Sequence, residues 1–185
     1  MGETTQQPQD VIRIRSVAKS LGLILALVSL AFAVGVTPAV ASHGHKGRAS
    51  GPHGRTVLRS GVFGSQPTGP PLFGVAPGGA PWVIHKSDVR VRRDGFVDVR
   101  LTGLVIPTPP SNGTNPVPEI AATVYCNGAA VGTTNAVPFS HAGDARIFSA
   151  LGTPLPNPCL APAVLFNPAA GGVVTTTNYI AATGA

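Results

Sequence analysis

Ser140, His141 and Asp144 lie within five positions of one another and supply a hydroxyl, an imidazole and a carboxylate, the residue types of a nucleophilic hydrolase. That chemistry needs the imidazole held between the other two groups. It takes the hydroxyl proton while the carboxylate orients it, and the three groups normally converge from separate elements. In residues 140–145 (SHAGDA) they share one short segment whose Ser, Gly and Asp equally suit a bend. Asp144 therefore reads first as a turn or cap residue, and extracellular hydrolysis through Ser140, His141 and Asp144 is the alternative.

Metal chemistry has one candidate place. His43, His45 and His53 fall in the Gly-, Ser- and Arg-rich segment Ser42–Arg55. A chain cleaved after Ser42 would start at His43, and its free amine with the His45 imidazole could capture Cu²⁺ or Ni²⁺. A solvated tail with chance histidines is the simpler reading of such a composition, so no metal is assigned. His85 has no partner in the sequence. Trp82, the single tryptophan, is a weak binding candidate that could stack on a sugar ring, but opening a strand after Pro77-Gly78-Gly79 it reads first as a core or rim anchor. No cofactor motif is present. Asn112-Gly113-Thr114 is a glycosylation sequon that matters only in a host that uses it. Cys126 and Cys159 lack metal-ligand spacing, and as an even pair in an exported chain they are expected to form a disulfide.

The elements that position these residues read as strands. In Phe96–Val105, Val97, Val99 and Leu101 alternate with Asp98, Arg100 and Thr102; upstream, Val89 and Val91 alternate with Asp88, Arg90 and Arg92. A period of two marks half-buried strands. Between them Arg93-Asp94-Gly95 predicts a tight primed turn, which makes Pro81–Val105 a β-hairpin. Glu119–Asn127 alternates with Ile120, Ala122, Val124 and Cys126 on one face, so the cysteine should point inward. Thr56–Phe63 reads as one edge strand, Ala129–Val137, Ala145–Leu151, Ala163–Phe166 and Thr175–Ala182 as further strands. Gly64–Ala80 and Pro107–Pro118 are long Gly/Pro loops, the first pinned by Leu72, Phe73 and Val75. Helix formers are scarce. The fold class expected is all-β, a single antiparallel β-sandwich, immunoglobulin-like in the loose sense, of about eight short strands with one disulfide; a small β-barrel is the alternative.

Residues 1–41 read as a signal peptide: Arg13, Arg15 and Lys19 precede the apolar run Leu21–Val36, and Ala39-Val40-Ala41 forms a small-x-small cleavage site. An uncleaved anchor is the other reading, although the run is shorter than the ~20 residues a span prefers. Residues 42–55 form a basic tail and residues 56–185 the β-sandwich domain. The formal charge of the 185-residue chain is +6. Lys46, Arg48, Arg55 and Arg59 concentrate it near the tail, and beyond Gly61 six basic residues nearly balance five acidic ones. On that balance no nucleic-acid partner is expected, and because Ser42–Ala185 contains no second apolar run of membrane length, no stable membrane insertion after cleavage is expected either.

The ordered set of residues 77–84 (PGGAPWVI), 94–107 (DGFVDVRLTGLVIP), 125–128 (YCNG), 143–147 (GDARI), 156–165 (PNPCLAPAVL) and 179–184 (YIAATG) resembles a group of small secreted bacterial proteins of unknown function, mainly actinobacterial. The resemblance implies export, a β-sandwich and a Cys126–Cys159 bridge, and carries no activity or functional residues. Together these readings describe a secreted or cell-envelope β-domain that acts by binding or by structure. Its recognition surface is expected in the loops Gly64–Ala80 and Pro107–Pro118.

Overall fold

The computed structural model describes residues 54–184. In chain order its strands are β1 (Thr56–Ser60), β2 (Val62–Gly64), β3 (Ala76–Pro77), β4 (Lys86–Arg92), β5 (Phe96–Thr102), β6 (Glu119–Cys126) and β7 (Ala129–Thr133). They continue with β8 (Val137–Pro138), β9 (Ala145–Ala150), β10 (Ala163–Ala170), β11 (Val173–Val174), β12 (Asn178–Tyr179) and β13 (Ala181–Thr183). Two antiparallel sheets result. A four-stranded sheet has the order β1-β4-β5-β9; a seven-stranded sheet has the order β2-β13-β10-β6-β7, with β11 on β10 and β8 on β6. The short β3–β12 pair is parallel. The sheets stay separate, so the domain is a β-sandwich and the barrel alternative falls away. Among the described residues no helix is long and apolar enough to cross a membrane.

Alternation builds the core. Val89 and Val91 of β4, Val97, Val99 and Leu101 of β5 and Ile147 of β9 are buried against Ile120, Ala122, Val124 and Cys126 of β6 and Val164 and Phe166 of β10. Each wholly buried Val, Leu, Ile or Phe contributes roughly 1.5–3 kcal/mol. The central hairpin pairs Val89 with Val99 and Val91 with Val97. Its turn differs from the expected two-residue form: it is a three-residue loop closed by the Gly95 N–H on the Arg92 carbonyl. Only Gly95, at φ 82°, is left-handed there, which matches a type I turn followed by a glycine bulge. A Cβ on Gly95 would stand 2.1 Å from the Thr153 carbonyl oxygen. Asn127-Gly128 does form the tight two-residue turn, with positive φ at both residues.

Two further sequence expectations are corrected. The expected edge strand Thr56–Phe63 divides at Gly61: β1 pairs with β4 in one sheet, while β2 pairs with β13 in the other. The chain therefore changes sheet at a corner, as strands of sandwiches do where a small residue lets the backbone bend. The strand count also exceeds the expected eight because β3, β8, β11 and β12 have two residues each, too few to show any period.

The central part of the outer face of the seven-stranded sheet is buried as well, while Phe63 at its β2 edge stays exposed. Tyr125, Leu165, Tyr179 and Ala182 form a second apolar cluster with Val75, against which Leu72 packs. Phe73 stacks on Tyr125 with ring centroids 4.4 Å apart. The loop Gly64–Ala80 thus lies over this face, and the Tyr179 hydroxyl donates to the Pro70 carbonyl at 3.1 Å. Strands β6 and β10 are consequently enclosed on both sides. Their few polar side chains are paired: Thr123 Oγ1 donates to Asn167 Oδ1 at 2.7 Å, and Asn167 Nδ2 donates to the Asn178 carbonyl. A disulfide joins Cys126 to Cys159 with 5.0 Å between Cα atoms. It ties the arm before β10 to the end of β6, where Asn127 adds hydrogen bonds to Pro158 and Leu160.

Two measurements check this packing. A Cys126→Ser/Cys159→Ser variant is expected to lose roughly 3–4 kcal/mol in urea unfolding, the value of closing a loop of that length. Burial pushes the phenol pKa of Tyr125 and of Tyr179 above the usual 10.0. The neutral phenols therefore favour the fold: their contribution is complete below the unfolded value and is lost as pH rises through the raised folded value. Near-UV circular dichroism should collapse in step with phenolate absorbance above pH ~10, whereas early ionisation with an intact spectrum would refute the buried placement.

Candidate functional site

The segment carrying Ser140, His141 and Asp144 follows β8 and closes on itself. The Gly143 N–H donates to the Ser140 carbonyl, and the Ser140 N–H to the Asp144 carbonyl. Ser140 Oγ accepts from the Asp144 N–H at 2.9 Å, while Asp144 Oδ1 accepts from the Gly103 N–H at 2.9 Å. Gly143, at φ 79°, lies so close to Leu104 that a Cβ would stand 2.3 Å from its carbonyl oxygen. The hydroxyl and the carboxylate are thus engaged with backbone, and no hydrogen bond runs from one side chain to another among the three residues. The arrangement is a turn docked on Gly103-Leu104 and not a nucleophile–base–carboxylate relay.

Behind this turn sits a residue that the sequence did not single out. Asn115 is 3% exposed. Its Nδ2 donates to the carbonyls of Val117 and Ser140, its Oδ1 accepts from the Val117 N–H, and its own N–H donates to the His141 carbonyl. It ties the loop Pro107–Pro118 to the 140–144 turn. Its position in an Asn/Pro-rich loop masked this role, since Asn is also the commonest kind of exposed turn residue.

The other expected residues scatter. Trp82 is 3% exposed and stacks towards Phe139 at 6.5 Å. It anchors the core and offers no platform to a sugar, which corrects its candidacy as a binding residue. His85 is exposed beside Gly103. His43, His45 and His53 lie outside the described residues. Among the described residues no three His, Cys, Asp or Glu gather at metal-binding distance.

A different surface concentrates functional groups. The strands of the four-stranded sheet turn their valines, Leu101 and Ile147 inward, so period two sends Arg59 of β1, Lys86, Asp88, Arg90 and Arg92 of β4, Phe96, Asp98, Arg100 and Thr102 of β5, and Arg146 and Phe148 of β9 to the outer face. Six cations and two carboxylates project there. Register places Asp88 opposite Arg100 and Asp98 opposite Arg90, but also Arg59 opposite Arg90 and Arg100 opposite Arg146. Asp88 receives Arg59 at 3.6 Å and Arg90 at 3.2 Å, exposed pairs that contribute little stability. Arg92 lies over the Phe96 ring at 4.2 Å and reaches Asp94 at 3.5 Å. Arg146 lies over Phe148 at 5.6 Å. Phe96 and Phe148 meet edge to face at 4.5 Å, and Phe148 remains 63% exposed.

Two depressions mark this face. One of about 570 Å³ is lined by Arg59, Lys86, Ser87, Asp88, Arg100 and Thr102. The other, about 160 Å³, is lined by Thr56, Arg90, Arg92, Phe96, Asp98 and Phe148. Such a face can bind anions and stack flat or apolar rings; it lacks the adjacent nucleophile and base of a hydrolytic centre. Arg146 and Phe148 were readable only as alternating residues of one strand. Their meeting with Arg100 and Phe96 depends on the β5–β9 pairing, which joins strands distant in sequence.

The roles assigned to Asn115 and Ser140 separate in unfolding experiments. Asn115→Ala should cost roughly 2–3 kcal/mol, because it leaves buried backbone groups without partners. Ser140→Ala, at an exposed position, should cost no more than about 1 kcal/mol. Equal effects would contradict the burial described above.

Comparison of the chain with protein-family models, with curated proteins and with solved structures found no match in any of the three.

Proposed function

We propose that this protein is a non-catalytic binding β-sandwich working outside the cytoplasm, in the extracellular space or cell envelope, through the outer face of its four-stranded sheet. One observation carries the reading. The loop Gly64–Ala80 covers the middle of the outer face of the seven-stranded sheet, leaving Phe63 exposed at its edge, whereas among the described residues the outer face of the four-stranded sheet presents arginines around the exposed Phe148. Loops were the expected recognition surface, but Leu72 and Val75 pack on the sheet and Asn115 holds the other loop to its neighbour. Those three side chains hold the loops in place, and the denser set of charged and aromatic groups lies on the face, which shifts the proposal there.

Export is supported by two features. The Cys126–Cys159 disulfide suits an oxidising compartment, and residues 1–41 have the order of charge, apolar run and small residues that a signal peptidase reads. The resemblance to small secreted bacterial proteins points the same way. Hydrolysis through Ser140, His141 and Asp144 is the lesser reading, because the hydroxyl and carboxylate are engaged with backbone.

Sedimentation with washed envelope fragments of the host tests the proposal. The purified protein should co-sediment. Phe148→Ser and Arg100→Gln should each reduce the bound fraction about fivefold, as for residues near the centre of an interface, and Val173→Ser, at an exposed residue away from the face, should leave it unchanged. Uniform binding by all variants, or labelling of Ser140 by a serine-directed fluorophosphonate, would overturn it.

A further inference from the structure

Resting on that reading, we propose that the occupant of the face is an acidic polysaccharide, a polymer of hydroxyl-bearing rings with carboxylate groups, lying across β4, β5 and β9. Charge complementarity is the first ground. The six cations and two carboxylates of the face leave Arg55 and Arg93 against Asp94, Glu119 and Asp144 on the remaining described residues. The domain's positive charge is thus gathered on one side, net +4 against −1 elsewhere among the described residues. Composition concealed this division, because it adds together residues that the strands send to different surfaces and because Arg59 of the face lies before Gly61.

The second ground is a like-charged pair on the face, which Asp88, opposite Arg100 on its other side, offsets in part. Lys86 and Arg100 make no ion pair with a described residue, and Arg100 stands directly opposite Arg146. Like charges facing each other across antiparallel strands destabilise a sheet. A carboxylate seated between the two guanidinium groups turns that repulsion into two charge-assisted contacts.

The carboxylates on the face argue for a sugar polymer over a polyphosphate or nucleic acid strand. Asp88 and Asp98 would repel a backbone that offers anionic oxygens alone. Asp88 borders the larger depression and Asp98 the smaller one. Ring hydroxyls can donate to such carboxylates, which an anionic oxygen cannot. Phe148, held edge-on by Phe96 and exposed beyond it, gives the apolar side of a sugar ring a surface to lie on. Arginines around an aromatic ring and acids that accept hydroxyls together match a polymer with carboxylate, hydroxyl and C–H faces in each repeat.

Polygalacturonate is the probe, with neutral dextran and single-stranded poly(U) as comparisons, titrated against the purified full chain by calorimetry. The expected result is binding to polygalacturonate, none to dextran and weaker binding to poly(U), with affinity falling as salt rises from ~0.05 to ~0.2 M. Arg100→Gln and Arg146→Gln should each weaken binding about tenfold, as for a lost charge-assisted contact, and Phe148→Ser about fivefold. Arg146→Gln should at the same time keep or raise Tm, since it removes a like-charged neighbour; this separates lost binding from lost folding. Polygalacturonate no better than dextran, poly(U) preferred, or indifference to Phe148→Ser would each overturn the proposal. If envelope fragments still bind through Arg100 and Phe148 while polygalacturonate does not, the ligand assignment fails and the binding face stands. If neither binds, both fail.

Discussion

The pairing of β6 with β10 is the constraint on which the rest of the domain depends. These strands run antiparallel in continuous register from Ala163 opposite Tyr125 to Ala169 opposite Glu119. Both are buried on both faces, so they cannot follow the simple inward and outward alternation of a surface sheet. One side meets the valines of the four-stranded sheet, and the other meets the loop Gly64–Ala80. Burial without solvent also obliges their polar groups to find partners within the protein. Thr123 and Asn167 do so with each other and with Thr133 and Asn178, so the hydrogen bonds settle which residues face which across the pair.

That double enclosure makes the two sides of the sandwich chemically unlike. One side offers water a loop; the other offers it strands β1, β4, β5 and β9 directly. A bare antiparallel sheet is stable when its outer residues are polar, and the arginines, Asp88, Asp98 and Thr102 satisfy that requirement. Solvation alone, however, gives no reason to set Arg100 opposite Arg146 or to leave Phe148 in water. The asymmetry ties the architecture to the function proposed for it: Leu72, Phe73 and Val75 hide the middle of one face, whereas the other exposes charged residues of β4, β5 and β9.

The legible parts of the fold were those with long local periods. The central hairpin, the inward Cys126 and its bridge to Cys159, the strand through Ile147 and the pinning of the first loop all follow from alternation or from residue chemistry, and the structure bears them out. Short elements were hidden, since a two-residue strand has no period. The change of sheet at Gly61 was hidden for another reason: Val62 continues the apolar pattern of Val57 and Leu58 although it serves a different sheet. The Arg93-Asp94-Gly95 turn was placed correctly but mistyped, because Asp-Gly fits both a two-residue turn and the second half of a three-residue one. The candidate site was the least legible. Ser140, His141, Asp144 and Trp82 drew notice by type, whereas the face is assembled from ordinary residues of strands remote along the chain and emerges only when register is known.

The division at Gly61 also bears on the order in which this fold can be completed. β1 can pair as soon as β4 exists, and β4 and β5 then join it from nearby sequence. β2, two residues beyond β1, has to await β13, since Val62 meets Thr183. A chain that emerges N-terminus first therefore offers most of the four-stranded sheet early, while the edge of the other sheet stays open until nearly all the domain has arrived. Closing such a distant pair is slow because the intervening chain must be ordered before the contact rewards it. During that interval β6 and β10 can already cover the apolar side of the first sheet, and what stays exposed is the edge of β10 that β13 later takes.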